Sequence, residues 1–195
     1  MDLGGVLLNI DYNRTSAAFK ALSGGDFDQM YSQAKQESLF DQLETGRITP
    51  MEFREKLREL GFQRSDVELD TAWNAMLLDF PEHRLNFLEQ LSKENTLYLF
   101  SNTNDIHIQS FEARMESEGQ LERFRNCFQN IYYSSVVGRR KPEVSTFQWV
   151  LRAEGLEASK VLFIDDSEQH VVGAREAGVD AYHLKAGEEV SSLFV

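Results

Sequence analysis

The chain has 195 residues, 32 acidic and 20 basic, giving a net charge of −12, and 42% of it is hydrophobic. These totals are ordinary for one soluble globular domain, with or without an insertion, large enough to bury about 70% of its unfolded surface without a disulfide or structural metal. The acidic balance argues against nucleic acid and anionic membranes as partners, since both would be repelled, so an anionic substrate would need a local basic pocket.

Cys127 is the only cysteine, which excludes an intrachain disulfide and a cysteine-based zinc site and leaves packing as its role. No run approaches the ~20 apolar residues of a membrane span, and the N-terminus lacks the basic-then-apolar pattern of a signal peptide. A cytoplasmic location is expected.

The opening stretch, from Met1-Asp2-Leu3-Gly4-Gly5 to Asp11, reads as the carboxylate-bearing end of a strand followed by a tight turn. Four helical patterns follow, with no convincing strand among them. The first runs from about Asn13 to Leu22 and the second from about Phe27 to Leu43, with a break near Ser38. In the third, Thr49 and Glu52 form a capping box, Pro50 takes the first turn, and Phe53, Leu57 and Leu60 recur at helical spacing before Gly61. Ser65 and Glu68 open the fourth in the same way, ahead of Leu69, Trp73 and Met76.

From Asp79 the rhythm changes. A helix begun by Pro81 leads to the strand Leu97–Phe100 and a helix from about Asp105 to Met115, after which residues 116–129 read as polar and irregular. The strand Ile131–Tyr133, a helix begun by Pro142, the strand Val161–Ile164, a helix from Glu168 to Ala177 and a last strand near Asp180–Leu184 complete the chain. Short strands alternating with helices predict an α/β fold with a parallel sheet flanked by helices. Residues 1–11 and 80–195 are expected to form this core, and residues 12–79 an inserted all-helical domain.

Ligands of open α/β sheets bind outside the carboxyl ends of the strands. Standing there are Ser101-Asn102-Thr103-Asn104, Arg139-Arg140-Lys141-Pro142 and Asp165-Asp166-Ser167, with Asp2 added if a strand leads into it. Each has a plainer reading: Ser101-Asn102 and Ser167 as helix caps, the basic run as a solvated turn. The adjacent Asp165 and Asp166 are harder to dismiss, because buried carboxylates repel unless a cation or donors compensate. As a set, the carboxylates suit Mg²⁺, the hydroxyl, amide and lysine suit phosphate oxygens, and a carboxylate beside both is a potential nucleophile.

In this order the motifs Asp2-Leu3-Gly4-Gly5-Val6, Leu99-Phe100-Ser101-Asn102, Arg140-Lys141-Pro142 and Phe163-Ile164-Asp165-Asp166 resemble those of the haloacid dehalogenase (HAD) superfamily, over nearly the whole chain. The likeness is strongest to its small sugar-phosphate phosphatases, of the alpha-D-glucose-1-phosphate phosphatase type, with a helical cap. The resemblance implies a Rossmann-like core and a Mg²⁺-dependent phosphatase acting on a small phosphorylated metabolite through an aspartyl-phosphate intermediate. It implies Asp2 as nucleophile and metal ligand, with the Gly4 carbonyl, Asp166 and Asp165 as further ligands. Ser101 and Asn102 would hold the phosphoryl group, and Lys141 would offset its charge. The cap would select the substrate, with Arg47, Trp73 and Asn74 as candidates.

The chain departs from the family pattern at Gly4, where most of its phosphatases carry a general-acid aspartate. In addition, only Met1 precedes Asp2, so an apolar strand upstream of Met1 is expected. These departures motivate an alternative, a catalytically weak or inactive protein that keeps the fold for binding or regulation. Dehalogenases of the family usually have tyrosine where Gly4 stands. Phosphonatases need a cap lysine, for which Lys20, Lys35 and Lys56 offer no recognisable signature, and a phospho-acceptor receiver domain would place its acidic pair first.

Overall fold

A computed structural model of the protein describes residues 1–22 and 38–194. The sheet is built from two parallel pairs. Strand β1 (Tyr98–Ser101) pairs with β2 (Asn130–Tyr133), in register from Tyr98↔Asn130 to Ser101↔Tyr133. Strand β3 (Leu162–Asp165) pairs with β4 (Asp180–His183), from Leu162↔Asp180 to Asp165↔His183.

The opening residues join these pairs. The Met1 amine donates to the Tyr98 carbonyl at 2.8 Å, the Phe100 N–H donates to the Met1 carbonyl at 3.0 Å, and the Asp2 N–H donates to the Ile164 carbonyl at 2.9 Å. Met1 and Asp2 therefore lie between β1 and β3, and Asp2 stands level with the ends of both strands. On the other side of Met1 the two pairs part around a cavity of about 550 Å³, lined by apolar residues including Phe100, Phe147, Phe163 and Val179.

Beyond Asp2 the chain turns at once, and Leu3, Val6, Leu7 and Leu8 are all buried in the main core. Arg84 fixes this turn, donating to the Leu7 carbonyl at 3.1 Å and the Asn9 side chain at 2.9 Å while paired with Glu189 at 2.8 Å. Helices α1 (Tyr12–Leu22), α2 (Leu39–Glu44), α3 (Pro50–Glu59) and α4 (Asp66–Asn74) follow. They share a second core of Phe19, Leu43, Phe53, Leu57, Phe62, Leu69 and Trp73. Both expected capping boxes are present, Thr49 with Glu52 and Ser65 with Glu68. Ser38, in a left-handed conformation (φ 55°), precedes α2. The rest of the predicted helix from Phe27, with Lys35, lies outside the described residues.

The remaining helices flank the sheet: α5 (Glu82–Glu94), α6 (Asp105–Ser117), α7 (Leu121–Asn126), α8 (Ser134–Val137), α9 (Val144–Glu154) and α10 (Glu168–Glu176). Pro81 and Glu143 are caps, so α5 and α9 begin a residue or two later than the prolines suggest. The stretch expected to be irregular after Met115 contains α7, whose buried Leu121 and Phe124 sit three residues apart in a polar background. That is one helical repeat, too short for a periodic pattern to register. Cys127 is buried beside this helix in the main core, and its thiol donates to the Arg123 carbonyl. Among the described residues no helix is long and apolar enough to cross a membrane.

One junction between the helical unit and the core is a stack of rings. Trp73 lies parallel to His107 of α6, with ring centroids 5.1 Å apart, and its indole N–H donates to Asn104 at 3.3 Å. The His107 Nδ1 lies 2.9 Å from the Asn74 side-chain oxygen. Burial drives the His107 imidazole down to about 3, so it is neutral at pH 7. A histidine depressed in the folded state confers stability that is complete above its unfolded pKa and is lost as pH falls from about 6.5 towards 3. By pH 5 this loss amounts to about 2 kcal/mol. Urea unfolding of wild type and His107→Asn at pH 7 and pH 5 should find the variant losing about 2 kcal/mol less over that interval. Equal losses in the two proteins would show that the imidazole remains solvated at the junction.

Candidate active site

The residues singled out at the strand ends converge on one cleft. Asp2 follows directly from the strand position it shares with Met1, Ser101 ends β1, Asp165 ends β3 and Asp166 begins the next loop. Lys141 arrives from the loop between α8 and α9. Its side chain is wholly buried, and its ammonium donates to Asp2 at 2.7 Å and to Asp165 at 2.6 Å. The apolar faces of Phe100 and Phe163 lie 5.6 and 5.2 Å from the same nitrogen and shield it from water.

The Asn102 side chain is committed to the backbone of Lys141. Its amide oxygen accepts from the Lys141 N–H and its amide nitrogen donates to the Lys141 carbonyl, both at 2.9 Å. The side chain thus clasps the lysine backbone from both sides and fixes where the ammonium emerges. Ser101 and Asn102 do not cap α6, because Asn104 does so, accepting from the His107 N–H at 3.2 Å. Ser101 is buried at the floor of the cleft.

Asp165 is fully engaged by the protein. One oxygen accepts from the Ser167 N–H at 2.8 Å and meets His170 Nδ1 at 3.0 Å, while the other holds Lys141. Asp166 is freer, and its carboxylate lies where a side chain at Gly5 would be. A β-carbon there would come within 2.1 Å of Asp166 Oδ2, and Gly5 has φ +75°. Only glycine lets the opening turn and the Asp166 loop approach so closely.

Oxygens of Asp2, Asp165 and Asp166 come within 4.8 Å of one another. Lys141 is one cation among three carboxylates, and the pKa pattern follows that deficit. Burial opposes charge on Lys141, but Asp2 and Asp165 outweigh it and hold the amine above its ordinary value. Burial also opposes ionisation of Asp165, but Lys141 and His170 bring it down to about 2. For Asp2, burial together with the nearby Asp165 outweighs the help from Lys141, and its carboxyl is pushed up. Burial with the charges of Asp2 and Asp165 raises Asp166 to about 6. A hard divalent cation with oxygen ligands fits this surplus. Asp2 and Asp166 have oxygens to offer it, whereas those of Asp165 are already committed.

The cleft has a volume of about 490 Å³, and Gly4, Ile10, Tyr12, Glu44, Met76, His107, Arg140 and His170 are among the residues that complete its walls. Arg47, expected to contact substrate, is exposed on an adjoining cavity of about 340 Å³, which shares Arg140 and Gln169 with the cleft. Trp73 and Asn74, the other expected selectors, are taken up by the junction with α6. The residue from the Glu44-Thr45-Gly46-Arg47 turn that enters the cleft is Glu44. It pairs with Arg140 at 2.9 Å, and Arg140 also pairs with Asp41. Nothing in the sequence spacing joins positions 44 and 140.

Removing the lysine charge would leave Asp2 and Asp165 buried without compensation. Lys141→Met should therefore cost about 3–5 kcal/mol in the metal-free protein. Guanidinium unfolding in the presence of a chelator measures it, and a loss below about 1 kcal/mol would mean that the carboxylates do not depend on this ammonium.

Residues 1–178 match the family model of haloacid dehalogenase-like hydrolases. The chain is 26% identical over 189 residues to a D-ribitol-5-phosphate phosphatase of Bacteroides thetaiotaomicron, covering 96% of this chain and 91% of that one. Its structure superposes on a HAD family enzyme of the same organism with a TM-score of 0.91 and 36% identity, over 100% of this chain and 96% of the other. That enzyme is also known in complex with magnesium and inorganic phosphate, with a TM-score of 0.86 over the same coverage of both chains. A HAD-like family hydrolase of Porphyromonas gingivalis superposes at 0.85 with 26% identity, over 98% and 93% of the two chains. With the family model spanning most of its length and its fold shared throughout, this chain belongs to the haloacid dehalogenase-like hydrolases.

Proposed function

We propose that the protein is a Mg²⁺-dependent phosphomonoesterase acting on a small polyhydroxylated metabolite, a sugar or polyol phosphate. The observation that carries this reading is the buried Lys141 bridging Asp2 and Asp165 at the floor of a cleft, with Asp166 and Ser101 beside them. The cleft is small and closed on one side by the helical unit, and its walls mix apolar surface with hydrogen-bonding groups such as Tyr12, Thr103 and Gln169. Such a lining suits a short hydroxylated chain better than a polymer. The phosphatase of D-ribitol 5-phosphate to which the chain is similar supports the polyol side of the choice.

Asp2 is the nucleophile in this reading. Its carboxylate attacks phosphorus as the bond to the alcohol breaks, and water then hydrolyses the aspartyl-phosphate, returning the free carboxylate and inorganic phosphate. Lys141 holds the attacking oxygen in place and offsets the charge gathering on the phosphoryl group, while Asp165 and the Asn102 clasp keep the lysine aimed. The Ser101 hydroxyl donates to a phosphoryl oxygen. Asp2, Asp166 and the Gly4 carbonyl would hold Mg²⁺, which supplies further neutralisation of phosphoryl charge when bound.

A panel of sugar and polyol phosphates assayed for phosphate release tests the reading. Wild type should turn over at least one of them in Mg²⁺ and stop on chelation, and Asp2→Asn should be slower by about 10³-fold or more. Equal release from the two proteins would remove Asp2 as nucleophile. Ligand-induced thermal stabilisation with no release from wild type would favour the binding-only alternative.

A further inference from the structure

An alkyl phosphate leaves as an alkoxide unless a proton reaches its oxygen, and the water that follows must lose one. The usual source of that help is absent here, and Ile10 borders the position. A β-carbon at Gly4 would lie 3.3 Å from Ile10 Cδ1 and 3.7 Å from Ile10 Cγ2, so an apolar side chain flanks the place an acidic one would take. The proton must come from elsewhere on the cleft wall.

Among the described residues, three carboxyl groups line the cleft: Asp2, Asp166 and Glu44. Asp2 is taken as nucleophile and Asp166 as the freer metal ligand, which leaves Glu44. The imidazole of His107 is held neutral, with Nδ1 against Asn74. His170 is tied by Nδ1 to both oxygens of Asp165, at 3.0 and 3.1 Å. The Tyr12 phenol, on a side chain that is largely exposed, is pushed up by desolvation at the cleft and by the Asp166 and Asp2 charges, so it does not serve as the base.

Glu44 has the setting of a proton carrier. It ends α2 and reaches the cleft from the helical unit, with its side chain 23% exposed. One of its oxygens, Oε2, is buried and makes no hydrogen bond of good geometry, although Arg140 lies 2.9 Å away. Burial raises its carboxyl above the ordinary range; Arg140, His170 and Lys141 work against that shift, and Asp41 reinforces it. Its position is fixed by the backbone, because the turn after it presses on α8. A β-carbon at Gly46 would come within 2.3 Å of the Ser135 carbonyl oxygen.

We propose that Glu44 is the general acid and base of this cleft, replacing from the helical unit the group that Gly4 lacks. This rests on the phosphomonoesterase reading above. In the first step the Glu44 proton passes to the leaving oxygen as the phosphorus–alkoxy oxygen bond breaks and the phosphorus–Asp2 bond forms. In the second, the Glu44 carboxylate takes a proton from water as the water oxygen bonds to phosphorus. The bond to Asp2 then breaks with its electron pair returning to the carboxylate. The helical unit would in this way supply a reacting group as well as a wall, and catalysis would require α2 to be docked.

The test compares wild type, Glu44→Gln and Asp41→Asn on ribitol 5-phosphate and on p-nitrophenyl phosphate, whose leaving group needs no proton. Glu44→Gln should lower kcat on ribitol 5-phosphate by about 10²–10³-fold. On p-nitrophenyl phosphate its first turnover should stay within about threefold of wild type and be followed by a slow phase, because hydrolysis of the aspartyl-phosphate has lost its base. The resulting burst of nitrophenolate in rapid-quench or stopped-flow measurement is a signature that a merely structural role would not produce. Asp41→Asn removes the other partner of Arg140 and should shift both substrates by the same factor. Equal losses on both substrates in Glu44→Gln, no loss on either, or the same split in Asp41→Asn would each overturn the assignment while leaving Asp2 catalysis standing. Absence of phosphate release from wild type on every member of the panel above would overturn the phosphatase reading and this proposal together; where another member is turned over best, it replaces ribitol 5-phosphate in the comparison.

Discussion

The ammonium of Lys141, with no access to solvent, lies between the carboxylates of Asp2 and Asp165 at hydrogen-bonding distance from each. A lone charge in such a place is costly to bury, and so is either carboxylate. Each is tolerable only because the others are there. Much of the surrounding architecture serves to hold this arrangement. The Asn102 side chain grips the lysine backbone at both its N–H and its carbonyl, the Ser167 N–H and His170 settle Asp165, and Met1 and Asp2 are hydrogen-bonded into the strands on either side. Three segments far apart in sequence are therefore tied through one buried nitrogen.

The same arrangement explains why the cleft attracts a cation and a phosphate. One lysine cannot neutralise three carboxylates within 4.8 Å, and the unmet charge appears as raised pKa values at Asp2 and Asp166. A divalent cation would bring three carboxylates and one lysine to charge balance, so that the floor of the cleft would no longer repel an incoming phosphoryl group. The overall acidity of the chain is then no obstacle, because the local field at the strand ends decides what binds. The positive charge at the strand ends is thus a single buried lysine, not a patch of surface arginines.

Much of this was legible in the sequence, and the reason is geometric. In a parallel α/β sheet all strands point the same way, so polar residues that immediately follow apolar runs fall on one edge. Ser101 and Asp165-Asp166 could be grouped on that ground; Lys141 comes later in the loop after the Ile131–Tyr133 strand, Asp2 joins only if a strand leads into it, and the order of the motifs brought both in. The capping boxes at Thr49 and Ser65 were equally readable, being local patterns with a local cause. What escaped was set by packing between segments. Asn102 has the chemistry to bind phosphate but turns to the lysine backbone, and Arg47 has the charge to bind substrate but faces the neighbouring cavity. Helix α7 went unseen because it has two buried apolar residues and no second turn to repeat them. The pairing of Glu44 with Arg140 depends on how closely the turn at Gly46 approaches Ser135, which no spacing rule encodes.

Arg140 and Lys141 are neighbours in the chain with opposite assignments. Lys141 points into the core and meets the carboxylates of the sheet; Arg140 points outward to Asp41 and Glu44 at the end of α2. A shift of the helical unit would pull on Arg140, and the next peptide bond carries the lysine that fixes Asp2. The clasp from Asn102 limits how far that pull can travel, since it holds Lys141 by its own backbone. The loop is thus anchored to the core on one side and to Asp41 and Glu44 of α2 on the other. Docking of α2 can alter what stands at the mouth of the cleft without disturbing its floor.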